Sequence, residues 1–77
     1  MPTATYGEFR VVLRRVGFRL VRSKKHETWE KTLPTGEILQ VRLSHQQGRD
    51  ISTPLFHQML RQAQLTQTEF FTRLREA

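Results

Sequence analysis

Apolar positions recur along the chain with two different periods, and the switch between them marks the elements. Phe9, Val12, Leu13 and Val16 fall at helical spacing. Thr5-Tyr6-Gly7-Glu8 stands before them as a capping box, the Thr5 side chain accepting from the backbone of Glu8 and the Glu8 side chain reaching back. Arg10 and Arg14 are expected off the apolar face, and Gly17 supplies a left-handed stop. Phe18-Arg19-Leu20-Val21-Arg22 then reads as a short strand. Residues 26–33 and 37–44 are two further strands, split by Pro34-Thr35-Gly36, a three-residue hairpin loop with glycine at the bulge position. That loop pairs Leu33 with Glu37, and the register follows. Lys31 meets Leu39, Glu30 meets Gln40, Trp29 meets Val41, Thr28 meets Arg42, and His26 meets Ser44. Trp29, Leu39, Val41 and Leu43 then share one face and pack on the helices. His26, Thr28, Glu30, Gln40 and Arg42 share the other. Glu27 and Lys31 fall on the apolar face and are expected at its edges.

Residues 45–52 form a polar loop. Thr53 is the expected N-cap of a second helix, with Pro54 at its first position, where the missing N–H costs nothing. Leu55, Met59, Leu60 and Ala63 make its apolar stripe. Thr66-Gln67-Thr68-Glu69 is a second capping box, with Leu65 and Phe70 as a hydrophobic staple around it. A last helix carries Phe70, Phe71 and Leu74 to about Arg75. The expectation is an α+β fold in one domain, 1–77, with a three-stranded antiparallel sheet and a short C-terminal helix.

Composition narrows the class. A chain of 77 residues has room for one modest core and no second domain. It has no cysteine, which excludes disulfides and thiolate metal sites and fits a reducing cytosol. No apolar run approaches the roughly 18 residues of a membrane span. Met1 to Tyr6 has neither the charged lead nor the apolar stretch of a signal peptide, so a cytoplasmic protein without membrane contact is expected. Thirteen Lys and Arg against seven Asp and Glu give a net charge of +6. Such an excess on a small domain favours an anionic partner, nucleic acid first and an acidic protein second, against plain solubility.

The candidate chemistry lies in Arg22-Ser23-Lys24-Lys25-His26-Glu27-Thr28-Trp29. Lysines hold an anion, and an imidazole that titrates near neutrality moves a proton, a pairing suited to a phosphodiester. The competing reading is a solvated basic loop with an idle histidine. Arg42 lies diagonally across from His26, within reach of a shared phosphate. Alternatively it pairs with Glu30 or Thr28. His45, at the same end of the hairpin, offers a possible second acid or base, or is a loop residue without a role. His57 falls off the main stripe of its helix and reads as surface or partner contact. Three scattered histidines without paired carboxylates make no metal signature, and no cofactor motif is present. Trp29 could stack a base, but parity assigns it to the core.

With these residues in place, the chain resembles the HicA toxins of bacterial toxin–antitoxin pairs. The resemblance runs over nearly the whole length. Its carriers are Gly17-Phe18-Arg19-Leu20-Val21-Arg22, the His-x-x-aromatic pair His26 and Trp29, and Gly48-Arg49-Asp50-Ile51. Leu60-Arg61-Gln62-Ala63-Gln64-Leu65 and the capped Glu69-Phe70-Phe71 tail complete them. It implies an α-β-β-β-α fold like a double-stranded RNA-binding domain. It also implies metal-independent cleavage of mRNA, an mRNA interferase activity that arrests growth under stress, with His26 as the catalytic residue. Lys24, Lys25, Arg42 and Arg22 would bind the RNA. The implied partner is an acidic HicB-type antitoxin covering the histidine. Where HicA toxins usually have Gly-Ser before the histidine, this chain has Lys24-Lys25, and Gln64 replaces a glycine after the second-helix alanine. A non-catalytic RNA-binding module of the same fold remains the alternative.

Overall fold

The computed structural model describes residues 3–46 and 48–76. Met1 and Pro2, on which the reading of the N-terminus begins, lie outside them, as do Gln47 and Ala77. The elements are α1 (Tyr6–Arg15), β1 (Arg19–Ser23), β2 (Glu27–Thr32), β3 (Ile38–Leu43), α2 (Thr53–Ala63) and α3 (Gln67–Arg75). The strands form one antiparallel sheet in the order β1-β2-β3. One sheet face packs on the helices and the other is open.

Both capping boxes form. Thr5 Oγ1 accepts from the Glu8 amide at 3.1 Å and Glu8 Oε1 accepts from the Thr5 amide at 2.9 Å. Thr66 and Glu69 repeat the arrangement at 3.0 Å in both directions. Gly17 ends α1 at φ 102°, its amide donating to Arg14 O and the Phe18 amide to Leu13 O. These are the two bonds of a Schellman stop. Phe18 therefore belongs to the helix stop, buried beneath it, and β1 begins one residue later than expected.

The hairpin register is as the loop predicts, from Thr32 opposite Ile38 to Glu27 opposite Leu43. His26 lies just ahead of β2 and has no strand partner. Trp29, Leu39, Val41 and Leu43 are buried against Phe9, Val12 and Leu13 of α1 and Phe56, Met59, Leu60 and Ala63 of α2. Phe9, Phe56 and Phe70 form an aromatic centre, with ring centroids 5.0 to 6.0 Å apart, joining the three helices.

Two helical assignments need correction. Phe56, not Leu55, belongs to the α2 stripe: Phe56 is fully buried and Leu55 is 37% exposed. Phe56, Met59, Leu60 and Ala63 stand at i, i+3, i+4 and i+7, the spacing a single face requires, and Leu55 breaks it. Thr53 is already helical, with Ser52 at the cap and Pro54 inside the first turn, where no amide is missed. The polar loop also hides a core residue. Ile51 is buried because its amide donates to Ala4 O at 2.9 Å, tying the loop to the segment before α1.

Candidate functional site

Lys24-Lys25-His26 is the turn between β1 and β2, closed by the pair Ser23 and Glu27. None of the three has a positive φ; among the described residues that conformation is confined to Gly17, Gly36 and Gln64. The lysines therefore occupy a turn that demands no glycine. All three side chains face solvent.

A β-bulge sets the rest of the site. Leu20 opposes Trp29 and Arg22 opposes Thr28, which leaves Val21 as the extra residue. Without that insertion Val21 would oppose Thr28, and Arg22 would fall opposite Glu27 on the helix-facing side, since a slip of one residue exchanges the faces. With it, Arg22, Thr28 and Arg42 form one row across three strands on the open face. The two arginines flank Thr28 at two interstrand spacings, about 10 Å. Arg42 makes no ion pair among the described residues, and Glu30 instead accepts from Gln40 Nε2.

The turn and the row enclose an open depression of about 330 Å³ lined by Arg22, Lys24, Lys25, His26, Thr28 and Arg42. It contains four cations, one imidazole and one hydroxyl, and no carboxylate. A second, more apolar depression meets it at His26 and Arg42 and is walled by Tyr6, Leu43, Leu55 and Met59. Trp29 takes no part in either: it is 2% exposed, with the Arg14 guanidinium 5.1 Å from its ring centroid. His57 lies half-buried on α2 with its ring 6.1 Å from that of Phe56.

Beneath the turn lies a polar cluster that contradicts the expected place of Arg10. Arg10 is 7% exposed, inside the fold and not off the apolar face. Tyr6, Phe9, Arg10 and Leu13 are themselves at i, i+3, i+4 and i+7, so α1 carries its arginine within the buried stripe. The reason is Glu27, which strand parity turns toward the helices and which needs a cation there. Arg10 Nε donates to Glu27 Oε1 at 2.8 Å, and Nη2 donates to Ser44 O at 2.7 Å. Trp29 Nε1 donates to the same Glu27 oxygen at 3.0 Å. Burial pushes the Glu27 carboxyl up. The hydrogen bonds from Arg10 and Trp29, with the charges of Arg10 and His45, outweigh it and hold the group below the ordinary glutamate range.

His45 joins this cluster and not the depression. Its Nε2 lies 2.7 Å from Lys24 O and its Nδ1 lies 3.7 Å from Glu27 Oε2. The structure thus brings together His26, Lys24, Lys25, Arg22 and Arg42, and sets His45 behind the turn. Among the described residues no three His, Cys, Asp or Glu side chains gather as metal ligands, and no helix is long and apolar enough to cross a membrane. No protein-family model, curated protein or solved structure matches this chain.

Proposed function

We propose that this chain is a metal-independent endoribonuclease acting on mRNA in the cytoplasm, the toxin of a type II toxin–antitoxin pair, with His26 as its general base. The observation that carries this reading is the depression itself, in which one exposed imidazole stands among Arg22, Lys24, Lys25 and Arg42. The resemblance to HicA toxins supports it from the sequence. His26 takes the proton of a ribose 2′-hydroxyl, whose oxygen attacks the adjacent phosphorus. The bond from phosphorus to the 5′-oxygen breaks, and that oxygen takes a proton from water at the open face. The products are a 2′,3′-cyclic phosphate and a 5′-hydroxyl. Acid–base assistance of this kind is worth about 10²–10⁴ in rate. The four cations stabilise the charge that gathers on the phosphoryl oxygens. DNA, without the 2′-hydroxyl, survives. The natural inhibitor is an acidic antitoxin seated over the same cations.

The test is incubation of labelled RNA with the protein in EDTA. The parent chain is expected to cut and His26→Ala to lose about 10²-fold or more in rate. Equal cutting by both removes His26 from the mechanism, and cutting that requires magnesium removes the metal-independent route. A second reading rests on the row Arg22-Thr28-Arg42, which tracks a phosphate backbone with no chemistry, as an RNA-binding module of the same fold would. A salt-sensitive gel shift without cleavage decides for it.

A further inference from the structure

The 24–26 turn must hold a base against four cations, yet its three side chains stand in solvent. Outside the strand ladders, the hydrogen bond found for this turn among the described residues is that between Lys24 O and His45 Nε2 at 2.7 Å. His45 immediately follows Ser44, whose carbonyl is gripped by the buried Arg10, and its other ring nitrogen faces the carboxylate that Arg10 also grips. The contacts close a circuit from α1 through Glu27 and Ser44 to the far side of the turn. The geometry points to His45 as a positioning residue, a latch that fixes the main chain carrying Lys24, Lys25 and His26 to the rigid part of the fold. This rests on the reading of His26 as the base.

The chemistry of the imidazole suits the task. A ring N–H at Nε2 can donate to Lys24 O, while Nδ1 faces Glu27 Oε2 at 3.7 Å, beyond hydrogen-bond distance. Nε2 is engaged by Lys24 O and His45 does not line the depression, so His45 is not placed to move a proton for the substrate. Its effect is on where the base sits. Misplacement of a reacting group by about 1 Å costs up to about 10²-fold in rate.

The experiment compares His45→Ala and His45→Gln with the parent by amide hydrogen exchange and by kinetics on labelled RNA. Glutamine keeps a donor for Lys24 O and carries no charge. In His45→Ala the amides of residues 24–26 are expected to exchange faster by about 10-fold, since a local opening has lost its tether. Its kcat should fall by about 10- to 100-fold with KM changed by less than about threefold, because the cations remain. His45→Gln should recover most of both. A 24–26 turn as protected in His45→Ala as in the parent overturns the latch. So does a loss of kcat equal in the two variants with the turn still ordered, which assigns His45 to proton transfer instead. If the parent cleaves nothing while the turn still loosens in His45→Ala, the latch stands and the nuclease reading falls. Far-ultraviolet circular dichroism and thermal unfolding establish that each variant is folded before either readout is taken.

Discussion

At the scale of single residues, the pair Arg10 and Glu27 places two charges where the core begins. Their side chains are 8% and 13% exposed, and the guanidinium is only partly satisfied: its Nη1 is buried with no hydrogen-bond partner among the described residues. Such a pair contributes little beyond what an apolar pair of the same shape would, but removing one member strands the other. Arg10→Ala should therefore lower the free energy of unfolding by about 3 kcal/mol or more, read from urea denaturation. The carboxyl has its own signature. Its pKa is depressed in the fold, so its contribution is fully present above the unfolded glutamate value of about 4.3 and is lost as pH falls through the lower folded value. The urea midpoint of the parent should drop on acidification below about pH 4.3, and Glu27→Gln should flatten that part of the slope. An identical acid slope in both would mean that Glu27 is not held by its neighbours as described.

At the scale of elements, what was legible depended on whether a local rule fixed the geometry. The two capping boxes, the Gly17 stop and the β2–β3 register were legible because each follows from a few adjacent residues. The open face of Thr28 and Arg42 followed from that register, whereas His26, expected opposite Ser44, lies in the turn ahead of β2. The β1 bulge was not legible. All five β1 residues are exposed, so no buried position pins the strand, and nothing in Arg-Leu-Val-Arg-Ser declares which residue is extra. Arg10 was missed for a different reason: its helical spacing was readable, but its burial depends on Glu27, seventeen positions away. Gln64 shows the converse, a residue whose setting has a local signature. It sits at φ 56° at the end of α2, with its amide donating to Arg61 O and that of Leu65 to Leu60 O, a stop that glycine adopts without strain. Gln64→Gly is expected to stabilise the protein by about 1 kcal/mol, which for a domain of this size raises the melting temperature by about 4–8 °C. A lower melting temperature would place the cost of glycine's freedom in the unfolded chain above the relief of strain.

At the scale of the whole molecule, the charge of +6 is distributed so that its excess reaches solvent. Of the seven carboxylates, Glu8 and Glu69 bond to helix caps, Glu27 to Arg10, Glu30 to Gln40 and Glu76 to Arg73. None lines the depression and none forms an ion pair with its four cations among the described residues; on that face Glu30 lines an adjoining depression with Arg22 and Arg42 and accepts from Gln40. This makes binding of an anionic chain testable by its salt dependence rather than by affinity alone. If Arg22, Lys24, Lys25 and Arg42 each neutralise one phosphate of a single strand, log K should fall against log salt with a slope of about −3. Replacing Arg22 or Arg42 with alanine should bring that slope toward zero by about 0.7. The His26→Ala variant should bind with the parent's slope, since a base that moves a proton does not need to hold the phosphate charge. The measurement thus separates the holding of RNA from its cutting. Arginine variants that leave the slope unchanged would mean that the row across the sheet is solvated surface, and the cationic basis of the site would have to be abandoned even if His26 proved essential.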